Sequence, residues 1–300
     1  MRSGFTLAEF LIATAIAGVV AASITTTVVR QQRFYAAAQE KLELRNRLRE
    51  ASNILSTDLK SAAVSEMGVR LMTDTAIEVF VSIATSIACT ATGNVIGLPP
   101  QTLSRGNTLT SIITVPDTGD IALIYGSPYN FPDSASWTPA RISAVTTRAA
   151  SATCPSSTGF TSASDVTQGT SAWQVSLAAS PPNLRVGSPV HFVRRARYSI
   201  YKSTDGWHLG YRRCNAIGAS TCGSVQPVAG PYLPVNKGSG GLSLTYYNSS
   251  GSKINAAQAA SLSRIDIVIR SNAPKFPPVT QSANAPETVK VIVSPRNRAR

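Results

Sequence analysis

Histidine and acid are scarce in this chain. Of 300 residues, only two are His and 15 are Asp or Glu. His191 and His208 both fall in strand-like runs, with no second ligand at metal-binding spacing. No Gly-x-Ser-x-Gly elbow, phosphate loop or dinucleotide fingerprint occurs. Asp117 and Asp120 stand close together, yet turns between strands collect Asp for backbone reasons, as at Asp205. No calcium ligand set can be assembled from them. The expectation is therefore no enzyme, no metal and no cofactor. Aromatic residues (7%) and charged residues (14%) are also few, while Ser, Thr and Ala abound. That composition fits a secreted β-rich chain better than a cytosolic enzyme.

Cysteine is limited to Cys89, Cys154, Cys214 and Cys222, without a C-x-x-C pair. An even number behind an export-type N-terminus reads as two disulfides formed in an oxidising compartment. Four cysteines allow three connectivities. The short loop containing Gly218 favours Cys214–Cys222, which leaves Cys89–Cys154 by exclusion.

What the chain does have is one long apolar run. From Phe5 to Val29 the single charged side chain is Glu9. As a helix these residues reach about 37 Å, enough to cross a bilayer core of about 30 Å. A lone carboxylate inside such a span is costly unless paired. Nothing in the run supplies a cation, so the partner is expected to come from another molecule.

The segment Gly4-Phe5-Thr6-Leu7-Ala8-Glu9-Phe10-Leu11-Ile12 resembles the prepilin cleavage and methylation signature of type IV pilins and type II secretion pseudopilins. The resemblance implies cleavage between Gly4 and Phe5 by a prepilin peptidase, and N-methylation of Phe5. It also implies pairing of Glu9 with the N-terminal amine of a neighbouring subunit, which is the missing cation. Residues 1–4 are then a leader and 5–29 a transmembrane helix in the inner membrane. The rival reading is an ordinary signal peptide cut near Ser23, but the apolar run is long for one and such a signal has no use for Glu9.

Beyond the run the helix should continue over 30–65 as an amphipathic segment. Leu44, Leu48, Ala51, Leu55, Leu59 and Ala62 form one apolar stripe, with Arg45, Arg47, Arg49, Glu50 and Lys60 off it. No Pro or Gly interrupts Val19–Met67, and the end is expected near Ser65–Gly68. Gly18 and Thr25–Val29 lower helix propensity locally; relatives of the family often loosen there once assembled.

From about Met72 the pattern turns to short β runs. They are Ile77–Ile83, Leu109–Val115, Ile121–Tyr125, Ala140–Thr146, Trp173–Ala178, Leu242–Tyr247, Leu262–Ile269 and a last strand through Val289, Val291 and Val293. The clearest are Val190–Lys202 and Trp207–Arg213, flanking an Asp205-Gly206 hairpin turn. Ala84–Gly106, Arg148–Ser171 and Ala216–Gly241 read as long loops. The expected fold class is α+β: a long N-terminal helix, its first half transmembrane, packed on an antiparallel β-sheet head (66–300) with inserted loops and strands. This layout resembles the large minor pilins and J-type minor pseudopilins. It implies a subunit for filament assembly or priming, with its head in the periplasm or on a cell-surface filament. The implied partners are other pilin or pseudopilin subunits, the prepilin peptidase and the inner membrane.

The formal charge is +13. Arg194, Arg195 and Arg197 face Arg212 and Arg213 across the predicted hairpin, and Arg296, Arg298 and Arg300 close the chain. These form a candidate basic patch, either a DNA-phosphate contact or a solvated or inter-subunit face. The second functional reading is thus a membrane-anchored binding module for DNA or surface polymer.

Overall fold

The computed structural model describes residues 6–127, 135–167, 169–215, 221–236, 239–271 and 286–295. Gly4, Phe5, Arg296, Arg298 and Arg300 lie outside them. Helix α1 (Leu7–Lys60) is a single element of 54 residues, unbroken through Gly18 and Thr25–Val29. In that weak stretch the Thr25 and Thr27 hydroxyls donate to the Ala21 and Ser23 carbonyls at 2.8 and 2.9 Å. Their polar atoms are thereby satisfied inside the helix.

The predicted stripe is the joint between helix and head. Leu44, Leu48, Ala51, Leu55, Leu59 and Ala62 are all buried. Each buried Leu contributes about 1.5–3 kcal/mol. Two further ties sit above the stripe: Glu287 pairs with Lys41 and Arg45, both at 3.6 Å, and the Tyr232 hydroxyl donates to the Arg47 carbonyl at 2.9 Å.

The helix stops at Lys60, short of the expected Ser65–Gly68. Ser61 N–H turns back to the Thr57 carbonyl at 3.1 Å, and Ala63 N–H donates to the Phe80 carbonyl at 2.9 Å. The chain is here crossing the edge of a strand, and the small buried side chains of Ala62 and Ala63 permit that approach. A single turn, α2 (Val64–Met67), follows and is ended by Gly68 at φ 68°. Tertiary pairing has overridden an otherwise uninterrupted helical pattern.

The head is antiparallel throughout. Its first strands are β1 (Leu71–Met72), β2 (Ala76–Ile87), β3 (Thr90–Thr92), β4 (Val95–Gly97) and β5 (Ser111–Ile112). Next come β6 (Ile121–Gly126), β7 (Ser136–Ala149), the helical turn α3 (Ala150–Thr153), β8 (Ser171–Leu177) and β9 (Pro189–Lys202). β10 (Trp207–Arg213), β11 (Gln226–Tyr232), β12 (Leu242–Tyr247), β13 (Arg264–Arg270) and β14 (Thr288–Val293) complete the order. Among the described residues β1 to β11 make one sheet, in the order β1-β2-β9-β6-β7-β8-β4-β3 with β10, β11 and β5 branching from it. β12-β13-β14 make a second, three-stranded sheet.

β9 is the hub. One edge pairs with β2 along its length, while the other is shared by β6 at Val190–Val193 and by β10 at Ala196–Lys202. Its alternation separates two environments. Phe192, Ala196 and Tyr198 join Ile77, Val79, Leu55 and Leu59 in the main core under α1. Val193 joins Phe80, Ile121, Leu123 and Ala63 in a smaller cluster on the opposite face, with Met67 of α2 against it.

The α+β architecture stands, and three loop assignments need correction. Ala84–Gly106 holds the end of β2 together with β3 and β4, and Ala216–Gly241 holds β11. Arg148–Ser171 carries α3 and two 3-10 turns. Conversely, Leu109–Val115 pairs only at Ser111–Ile112.

Candidate assembly site and the arginine network

Residues 7–33, the N-terminal half of α1, are all exposed. It is the one described helix long and apolar enough to cross a membrane, and none of its most apolar window is buried. Leu7 is 80% exposed, and Phe34, Tyr35 and Leu42 beyond the apolar run are each above 60%. A solvent-facing apolar surface of this length is covered in use, by lipid or by other helices. Its hydroxyls fit an apolar medium: Thr14 and Ser23 donate to the Phe10 and Val19 carbonyls at 3.0 and 2.9 Å, and Thr26 to that of Ala22.

Glu9 sits in a capping box. Its Oε2 accepts from Thr6 N–H at 2.9 Å and from the Thr6 hydroxyl at 2.8 Å, while Glu9 N–H donates to Thr6 Oγ1 at 3.4 Å. The pattern Thr-x-x-Glu at the start of an apolar run carries this cap in plain sight. Sequence reasoning had sought only a cation for Glu9. The carboxylate has donors from its own chain, but no positive charge among the described residues.

The five arginines of the candidate patch do not form one free face. Arg194 Nε and Nη2 hold Asp120 at 3.0 and 2.7 Å, and Arg213 reaches Asp117 at 2.9 Å and Asp120 at 3.1 Å. On the other face of the sheet Arg195 and Arg197 share the fully buried Glu78, Arg197 Nε at 2.7 Å. Arg212 lies opposite Arg197 in the ladder, with a buried Nε that has no hydrogen-bond partner. The Arg213 bond and the Thr118 N–H hold the Asp117 carboxyl below its usual range. The sequence expectation of a basic face is narrowed rather than removed: Arg194 and Arg213 pair with Asp117 and Asp120, while Arg195 and Arg197 share the single charge of Glu78, so the patch keeps part of its positive charge. No local signal named the partners, which lie 74 to 119 residues away along the chain. The one clue was a Glu inside the apolar strand Ala76-Ile-Glu-Val-Phe.

The cysteines pair as Cys89–Cys154, with Cα atoms 5.5 Å apart, and Cys214–Cys222, at 3.8 Å. The second closes over Glu78, whose carboxylate and the two sulfurs lie within 4.8 Å of one another. That trio has metal-ligand chemistry in form only: both thiols are spent in the disulfide, and two guanidinium groups already hold the carboxylate. His191 lies against Trp137, ring centroids 4.5 Å apart, and burial lowers its pKa while Glu66 opposes the shift. His208 meets Asp205 at 2.9 Å.

These features define a class: an α+β chain whose exposed apolar helix can span a membrane and whose continuation is rooted in an antiparallel head. Compared with protein-family models, curated proteins and solved structures, the chain matches none.

Proposed function

We propose that this chain is a minor structural subunit of a type IV pilus or type II secretion pseudopilus. Gly4–Phe5 is the processing site and Glu9 the assembly residue. The observation that carries the reading is the division of α1, with an exposed apolar half and a second half rooted in the head through Leu44–Ala62. A filament of packed helices covers the first half and displays the head. In such a low-dielectric interior the Glu9 carboxylate attracts the Phe5 amine of a neighbour and helps set axial register. The capping box sharpens this role, since Thr6 hydrogen-bonds the carboxylate and keeps it at the helix entrance without neutralising it. The runner-up, a membrane-anchored module binding DNA or surface polymer, loses support from the ion-paired state of Arg194, Arg195, Arg197 and Arg213.

The test is Glu9→Ala in the assembling cell. Recovery in sheared filaments or cross-linked pseudopili should fall, with the melting of the head unchanged. Normal incorporation of that variant would count decisively against the reading.

A further inference from the structure

Asp58 differs from the ion-paired acids of the head. Glu78 is held by two arginines, Asp120 by two, and Asp266 by Arg264 and Lys290 at 3.1 and 3.2 Å. Asp58 receives one hydrogen bond, from the Tyr198 hydroxyl, and no cation among the described residues pairs with it. It sits on the last turn of α1 at the wall of a cavity of about 400 Å³ between the helix and the sheet. That volume is in the range of sites for small ligands or single side chains. Ile54, Val81 and Val228 give the cavity an apolar wall, and Tyr198 and Tyr211, ring centroids 5.6 Å apart, also line it.

Arg194 also reaches the cavity, but its charge is answered elsewhere. It is held by Asp120 and by the Val115 carbonyl at 3.1 Å. Arg194 and Arg213 together are balanced by Asp117 and Asp120. The cavity is therefore left with one half-buried negative charge beside an apolar wall. A carboxylate without a cation in this setting keeps a desolvation cost that an incoming positive group removes.

We propose that this cavity is a binding site for an organic cation on an aliphatic stem: an ammonium or guanidinium group whose charge meets Asp58 and whose methylenes lie on Ile54, Val81 and Val228. The group is a free alkylamine or guanidine, or a Lys or Arg side chain presented by a second copy of this chain. The site does not depend on the filament reading.

Calorimetric titration of the full chain in detergent tests it with three probes. Nα-acetyl-lysine methylamide and Nα-acetyl-arginine methylamide should bind saturably. The neutral isostere Nα-acetyl-norleucine methylamide should bind at least about tenfold more weakly. Asp58→Asn keeps the shape and an acceptor for Tyr198, and should lose the preference for charge. Equal binding of charged and neutral probes, or no saturable binding by either cation, overturns the proposal on the unaltered protein, whatever the variant does. Zero-length carbodiimide coupling in membranes separates the sources. An Asp58–Lys bond between two copies assigns a lysine side chain. Retained probe binding without such a bond assigns a free small molecule or an arginine, which carbodiimide does not couple, and a shift of probe affinity with protein concentration separates those two.

Discussion

Glu78→Gln is the sharpest perturbation of the head. Glu78 is fully buried, with Oε1 on Arg195 and Oε2 on Arg197, whose Nη2 stands at 2.6 Å. Gln preserves the shape but removes the charge, and it aims an NH2 donor at a guanidinium that also only donates. Breaking a buried pair by removing one partner costs about 3–5 kcal/mol, because the remaining charge stays desolvated. The Arg197 side chain is 28% exposed, so water relieves part of that cost. The working figure is thus the lower one, about 3 kcal/mol. For a head of this size each kcal/mol moves Tm by about 2–4 °C, which gives a drop of about 6–12 °C. Circular dichroism melts in detergent with the disulfides intact measure it. Replacing the triad together, Glu78→Leu with Arg195→Met and Arg197→Met, should recover most of the loss, since no charge is then stranded. A Glu78→Gln melt within about 2 °C of wild type would refute the reasoning.

Further consequences can be checked on the same preparation. Leu55→Ala empties a fully buried site under α1 and should cost about 2–5 kcal/mol in denaturant melts. The two disulfides close loops of very different size, with sequence separations of 65 and 8. Removing Cys89–Cys154 by serine substitution should therefore cost about 4 kcal/mol, and removing Cys214–Cys222 about 2.5 kcal/mol, by chain-entropy reasoning; the reverse ranking in urea titrations would defeat it. Burial raises the pKa of Asp58, against a lowering by the Tyr198 hydrogen bond. The folded state thus holds that proton more readily than the unfolded chain. The stability it contributes is full in acid and is lost as pH rises from the ordinary carboxylate range through the raised value. Asp58→Asn should accordingly melt above wild type near neutral pH and level with it in acid, and a constant difference at all pH would contradict the assignment.

Much of the frame could be read from local pattern. The stripe Leu44–Ala62 is buried as its spacing requires, and β10 spans Trp207–Arg213 as the Asp205-Gly206 turn dictates, with Gly206 at φ 147°. Ile265, Ile267 and Ile269 face the core as their alternation demands. What escaped depended on partners distant in the chain. β11 carries Pro227 and Pro231, which disguise a strand, yet among the described residues its ladder is with β10, with one bridge from Tyr232 to Ser271, and an edge tolerates proline. Leu109–Val115 has a strand's composition, but its ladder with β2 covers only Ser111 and Ile112; the Ile113 and Thr114 N–H groups both converge on the Ile83 carbonyl, and Ile113 is left 79% exposed. Residue type reads Arg194–Arg197 as a basic surface. Only the fold brings Glu78 and Asp120 beneath them. The Thr6–Glu9 cap is legible too, as Thr-x-x-Glu, once the helix start is fixed.

The filament reading rests on Phe5 becoming the first residue and Glu9 standing ready to meet it. Mass spectrometry of the mature N-terminus, on protein recovered from membranes or sheared filaments, tests that most directly. The account predicts a chain beginning at Phe5 with a methylated amine. A chain beginning near Ser23, or one that keeps Met1–Gly4 in the assembled state, would contradict it.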